Sequence, residues 1–543
     1  MGNSSPRLTT LLALILLGGT LAVPACKKAP PPPPPVPTPT ATPRDLTHSV
    51  VKVFTTQQSA DFGEPWKPGS PVSDEGCGAI LSGGRVLTNA RLALQSTFIE
   101  VQKYGETHRY VAKPSHLSTD LDLVVLTVDD PDFAKGTVPV ELGDMPAPGD
   151  KVVLQGGDVL SKKEDTLSGV DMVWSIVGAT GVPALDTQGD IDKALYGCPV
   201  FKDGKLVGMP FLSYHKDDKG GTLTPVSLIK LYLDNVDAGK DYPGMPDPGI
   251  YVQMLKSADL RDYYKLPADK SGVVVTRVLS GGAAEGFLKE GDVLTEAAGY
   301  PIDNEGYTQV DKLGRISVDY PLCLLLPGQP LKLKIYRAGQ PMDVEFPSKN
   351  EVRLLPWQPN NSQPTYLMKA GFVFVPLTYN YLLADWNRMK PELKVYFNHG
   401  LPDPGRKEIV ILSRVLQADI NSGYQYFHNV IIDKVNGRKI GSMEDLAEAF
   451  DHPEKGRDVI EFDDHAWSGS TIVFDAKKAK KATLSIMREQ GIASDRSEDL
   501  KGSSVAVDHG KKPPLAAAKG KVSPEPKKRS APTATPDGVE IKL

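Results

Sequence analysis

The side chains best suited to chemistry in this chain are its four cysteines, Cys26, Cys77, Cys198 and Cys323, and nine histidines. Their spacing excludes several reaction classes. There is no Cys-x-x-Cys, no His-x-x-x-His and no run of carboxylates at calcium-loop spacing, so no metal site is expected. No glycine-rich phosphate loop occurs, and no cofactor is expected either. Four cysteines are too few to staple 543 residues, so apolar cores must carry the fold. Ser280-Gly-Gly and Ser82-Gly-Gly place a hydroxyl beside flexible backbone, but both read as turns.

The ends set the compartment. One positive side chain, Arg7, precedes an apolar run from Leu8 to Val23, and Pro24-Ala25-Cys26 follows. Residues 1–26 therefore read as a signal peptide, too short in its apolar part for a permanent span of about 20 residues. A cysteine directly after a small residue resembles the lipobox of bacterial lipoproteins, which implies lipid on Cys26 and a membrane anchor in the cell envelope; an ordinary secretory signal cleaved nearby is the alternative. Residues 27–45 contain six consecutive prolines, Pro30 to Pro35, and form a stiff spacer of polyproline type. In 501–543, Lys and Arg outnumber Asp and Glu by 9 to 4 with almost no large apolar residue, the composition of a disordered basic tail. The whole chain carries a net charge of −5, so its body has no bias toward nucleic acid.

The intervening residues divide by size into about three domains. Residues 46–240 contain short apolar runs broken by Gly, Pro and Asp, including Ser49–Phe54, Arg85–Thr88, Leu123–Val128, Lys151–Leu154 and Lys205–Gly208. Such runs predict an all-β barrel or sandwich. Three stretches resemble the motif regions of Deg/HtrA serine proteases. Gly76-Cys-Gly-Ala-Ile-Leu81 with Val86-Leu-Thr-Asn-Ala-Arg91 is similar to the strand and turn that carry the family's catalytic histidine; Asp120-Leu-Asp-Leu-Val-Val-Leu126 to the strand led by its aspartate; and Ala194-Leu-Tyr-Gly-Cys-Pro-Val-Phe201 to its Gly-Asn-Ser-Gly-Gly-Pro nucleophile loop. The resemblance implies a trypsin-like double β-barrel with Arg91, Asp122 and Tyr196 at the triad positions, 31 and 74 residues apart in the order of chymotrypsin-like proteases.

Those residues do not perform acyl transfer. A guanidinium, with a pKa above about 12, cannot accept the nucleophile's proton. A phenol of reference pKa about 10, with no base beside it, is a poor nucleophile, and its ring fills space the scissile carbonyl needs. Ala194-Leu195 replaces the Gly-Asn that lets backbone N–H groups face an oxyanion. No intact Gly-x-Ser-Gly-Gly appears elsewhere. Arg91 beside Asp122 is expected to form a permanent charged pair. The resemblance also sets Cys77 and Cys198 on neighbouring backbones, either bridged across the site or present as two buried thiols.

Residues 248–347 and 366–498 resemble two α+β PDZ-like domains of the same family, the second closest to the plant-type organellar branch. Gly272–Leu279, Leu288-Lys-Glu-Gly-Asp-Val-Leu294 and Leu331–Gly339 carry the first; Ala370–Thr378, Ile409–Leu416, Ile432–Ile440 and the helix Asp445–Phe450 carry the second. PDZ domains add an extended peptide to a sheet edge, with loop N–H groups on its carboxylate. The resemblance implies such a loop at Tyr264, Lys265 and Leu266. It also implies assembly through the second domain. The expectation is a mainly β pseudoprotease that binds peptides or unfolded exported proteins as a homo-oligomer, with an active endopeptidase or a structural scaffold as alternatives.

Overall fold

The computed structural model describes residues 45–156, 161–192, 195–214, 220–357, 363–401, 405–463 and 470–500. Cys26, the expected signal peptide, most of the proline-rich stretch and the basic tail lie outside them. Among the described residues no helix is long and apolar enough to cross a membrane.

Six antiparallel strands close a first barrel: β1 (Val50–Gln57), β2 (Val72–Leu81), β3 (Arg85–Thr88), β4 (Ser96–Lys103), β5 (Tyr110–Ser118) and β6 (Leu123–Val128), in the order β1-β2-β3-β6-β5-β4 with β4 returning to β1. Val51, Val53, Ile80, Val86, Ile99, Val101, Val124 and Leu126 alternate into its core, as the period of two requires. A second ring is built from β7 (Lys151–Gly156), β8 (Ser161–Ser175), β9 (Thr180–Thr187), β10 (Val200–Lys202), β11 (Lys205–Pro210) and β13 (Thr222–Pro225), in the order β8-β7-β10-β11-β13-β9, with β12 (Ser213–Tyr214) attached on β8. Pairing of β8 with β9 closes it. The chain then enters α1 (Val226–Asp237), whose Leu228, Ile229 and Tyr232 pack into the core shared by both barrels with Leu87, Leu123, Val125, Phe201 and Met209.

The next module begins with β14 (Pro246–Asp247) and β15 (Ile250–Met254), followed by α2 (Ala258–Tyr263), β16 (Val273–Val278), β17 (Val293–Ala297), β18 (Tyr300–Pro301), the hairpin β19 (Tyr307–Val310) and β20 (Gly314–Ser317), α3 (Asp319–Leu322), β21 (Pro330–Arg337), β22 (Gln340–Pro347) and β23 (Lys349–Asn350). Its sheet runs β15-β16-β17-β21-β22, so β15 is an edge strand, and β14 pairs separately with β23. The last module is the sheet β24 (Leu367–Lys369), β25 (Phe372–Pro376), β26 (Val410–Val415), β27 (Val430–Val435), β29 (Arg457–Phe462) and β30 (Thr471–Asp475), with β28 (Arg438–Lys439) on β27. Helices α4 (Tyr379–Ala384), α5 (Pro391–His399), α6 (Met443–Asp451) and α7 (Ala476–Gln490) accompany it. In this module β24 already lies along β25, which is thereby paired on both sides.

The last module is docked on the barrels. Phe62 and Trp66, from the β1–β2 loop, and Trp174 pack with Tyr366, Met368, Val373 and Leu355. Trp66 and Tyr366 meet edge to face at 5.8 Å, and Gln363 Nε2 donates to the Pro65 carbonyl at 3.2 Å.

Candidate active site

Arg91, Asp122 and Tyr196 are brought together from three different connections. β3 ends in Thr88, whose hydroxyl donates to the Cys77 carbonyl, and the chain turns through a 3-10 segment, Ala90–Leu92, that presents Arg91. Asp122 precedes β6 in a left-handed conformation, φ +49°, a region Asp tolerates better than most side chains. Its carbonyl accepts from Asn89 Nδ2 at 2.9 Å and from the Ala90 amide at 3.1 Å. Its carboxylate Oδ1 accepts from the Arg91 backbone amide at 2.9 Å. Asp122 thus holds the backbone of the turn. It is completely buried, its Oδ2 has no partner among the described residues, and burial pushes its pKa up to about 7 against the opposing pull of Arg91.

The Arg91 guanidinium does not pair with the Asp122 carboxylate, contrary to the expectation from sequence. It pairs with Asp74, at the start of β2, at 2.7 Å, and its centre stands 5.0 Å from the Tyr196 ring centroid. The physical reason is desolvation. Reaching Asp122 would take a permanent charge into a fully dry site, whereas Arg91 and Asp74 both keep contact with solvent, at 20% and 34% side-chain exposure. Arg91, Tyr196 and Asp74 therefore form a cap over the buried aspartate.

The loop carrying Tyr196 is fixed from below. The Tyr196 carbonyl accepts from the Cys77 amide at 3.2 Å. Gly197 has φ +78°, and a Cβ there would fall 2.4 Å from the Cys77 carbonyl oxygen and 2.5 Å from the Thr88 hydroxyl. Only glycine fits that contact. The structure joins Cys77 and Cys198 in a disulfide with Cα atoms 4.5 Å apart, and Gly156 packs against both sulfurs. Around the loop, the Leu195 amide donates to Asp192 O at 2.9 Å and the Cys198 amide to Leu195 O at 3.1 Å, so the loop on both sides of Tyr196 is closed by its own backbone. Ala194 lies outside the described residues. Burial raises the Tyr196 phenol above its ordinary range, partly offset by Arg91, which makes it a weaker nucleophile still.

Tyr264, Lys265 and Leu266 do not form a carboxylate-binding loop. Their amides donate to Leu260 O (3.2 Å), Asp262 O (2.8 Å) and Arg261 O (2.9 Å), closing the C-terminus of α2, and Leu266 is buried with Leu255, Val274 and Val293. Donors already used by a helix end cannot hold a ligand. One of the two edge strands of this sheet, β15, leaves its outer backbone open to an added strand.

Comparison with known proteins places these features in a family. A PDZ domain family model matches residues 355–499. Protease Do-like 2 (chloroplastic) of Arabidopsis thaliana is 29% identical over 461 residues, covering 83% of this chain and 75% of its own. Putative protease Do-like 3 (mitochondrial) of the same plant is 28% identical over 459 residues, covering 83% and 80%. The chain is a Do-like/HtrA protease homologue. Among solved structures, the HtrA-type protease AlgW with decapeptide aligns with 56% of this chain and 96% of its own at 18% identity and a TM-score of 0.41.

In this Do-like/HtrA homologue the residue missed from sequence is Asp74. Nothing in Ser73-Asp-Glu75 marks it, because its pairing with Arg91 depends on how β2 crosses the cleft. A left-over, partly buried cation at position 91 was the available signal, since such a charge favours a carboxylate within reach.

Proposed function

We propose that this Do-like/HtrA homologue is a catalytically silent pseudoprotease that binds peptides or unfolded exported polypeptides, anchored by lipid on Cys26 in the cell envelope and assembled as a homo-oligomer. The observation that carries the reading is the cap of Arg91 over Tyr196, clamped by Asp74. A base that cannot take a proton and a phenol raised by burial leave no route to an acyl-enzyme. Binding is supported by the solvent-facing edge of β15. The anchor and the envelope location rest on the N-terminal sequence, Leu8–Cys26.

The names of the relatives favour a second reading, an active serine endopeptidase. One experiment separates the two. The purified chain is mixed with reduced, unfolded casein, and binding and cleavage are followed together. Retention of intact casein is the expected result; casein fragments whose formation stops with a serine-directed inhibitor would establish the second reading instead.

A further inference from the structure

Among the described residues β15 is paired only with β16, and its Tyr251, Val252 and Met254 are 47%, 47% and 50% exposed. A polypeptide adding antiparallel to this edge runs opposite to β15, so its C-terminal end arrives at Ile250 and Gly249. Capture of a free carboxylate there requires successive backbone N–H groups pointing outward. The chain supplies Asp247-Pro248-Gly249. Pro248 has no N–H. The N–H of Gly249 donates inward, to Oδ1 of Asp247.

The loop has little freedom to rearrange. The Gly249 carbonyl accepts from Leu279 at 2.8 Å and the Pro248 carbonyl from Ala284 at 2.9 Å. Gly249 sits at φ +71°, and a Cβ there would lie 2.8 Å from the Gly282 Cα. Asp247 is held by pairing of β14 with β23, opposite Lys349. The charged groups facing it come from each neighbouring element. Glu351 is paired with Arg353 at 2.7 Å; Asp319, on α3, accepts from Ser317 Oγ at 3.0 Å; and the Lys349 ammonium faces the Gly281 and Gly282 carbonyls at 3.4 and 3.3 Å. The Cys323 thiol, Tyr251 and Arg277, which pairs across from Tyr251, complete the set. Burial, with Asp247 and Glu351, pushes the Tyr251 phenol up, which puts this negative charge beside the strand that would receive a ligand.

We propose that Asp247 is a specificity residue that closes this PDZ-like edge to free C-terminal carboxylates and reserves it for internal extended segments. The inference rests on the peptide-binding reading above. Burial pushes the Asp247 carboxyl up to about 6, so it is ionised at neutral pH and becomes a neutral donor in mild acid. The exclusion then relaxes.

The test uses the full chain and N-acetylated hexapeptides tiling casein, each made with a carboxylate end and with an amide end, read by fluorescence anisotropy. Hexapeptides are long enough to cover β15 and too short to slide their ends far from Gly249. At pH 7.5 the amide forms should bind at least tenfold more tightly than the carboxylate forms, and Val252→Asp should abolish both. At pH 5 the ratio should shrink. Asp247→Ala, which frees the Gly249 amide, should remove most of the ratio; Asp247→Asn, which keeps an acceptor without charge, should fall between and guards against a folding defect in the alanine variant. Equal or tighter binding of the carboxylate forms by the natural chain overturns this inference and leaves the peptide-binding reading standing. Binding of neither form overturns both.

Discussion

The guanidinium of Arg91 lies 2.7 Å from the Asp74 carboxylate, while only the backbone amide of Arg91 touches Asp122. The aspartate that would orient a catalytic base has become a backbone clamp, and the side chain above it is tied to a strand that plays no part in acyl transfer.

That division of labour is measurable by a double-mutant cycle. Arg91→Ala and Asp74→Ala should be coupled by about 0.5–1 kcal/mol, the size for a partly exposed pair. Arg91→Ala should cost more than Asp74→Ala, since it also removes the contact with the Tyr196 ring. Denaturant unfolding of the four variants measures this. Coupling of Arg91 to Asp122 through side-chain charge, with none to Asp74, would contradict the geometry.

Asp122 predicts a pH dependence. Its carboxyl is held near 7 in the fold against an ordinary value of 3.8, so the folded protein keeps a proton that the unfolded chain has lost. The contribution of Asp122 to stability is therefore fully present below about 3.8 and is lost as pH rises through about 7. Asp122→Asn keeps the acceptor for the Arg91 amide, and Asn tolerates the left-handed backbone. It should raise the barrel melting temperature by a few degrees at pH 8, less at pH 5, taking about 2–4 °C per kcal/mol for a domain of this size. A gain independent of pH would show that burial of the charge is not the cause.

The Cys77–Cys198 bridge closes a loop of 121 residues and joins the two barrels directly under Tyr196. Replacing both cysteines with alanine should cost roughly 2–5 kcal/mol. Reductant should lower the stability of the natural chain and leave the double variant unchanged. Equal sensitivity of the two proteins would rule the bridge out.

Gly197 and Gly83 both have positive φ, but only Gly197 has neighbours where a Cβ would go. Gly83→Ala should cost about 1 kcal/mol, the conformational penalty alone. Gly197→Ala should cost several times more, because the Cys77 carbonyl and Thr88 hydroxyl must move. Thermal unfolding of the two single variants gives the comparison, and equal losses would mean the nucleophile loop is looser than its contacts indicate.

Much of this was legible in the chain because local patterns and tertiary demands agree. Ser49–Phe54, Arg85–Thr88 and Lys205–Gly208 read as strands and lie in β1, β3 and β11, where their apolar residues fill the barrels. The 15-residue β8 was not legible: Ser161-Lys-Lys-Glu-Asp-Thr166 has no apolar alternation and is held in the sheet by its pairing with β7, while β9 pairs with the rest of the strand. The destination of the Arg91 side chain was hidden for a related reason, since 17 residues separate it from Asp74 and it is the register of the β2–β3 hairpin that brings them together. Placing the peptide loop at Tyr264–Leu266 failed because the sequence does not reveal that those amides cap α2. The outward edge of β15 emerges only from strand order.

The most direct measurement is hydrolysis of unfolded casein by the full chain beside an Arg91→His, Tyr196→Ser variant. A pseudoprotease predicts intact casein with the natural chain at every pH from 5 to 9, whether or not the variant recovers activity. Casein cleavage by the natural chain, abolished by a serine-directed inhibitor, would contradict it.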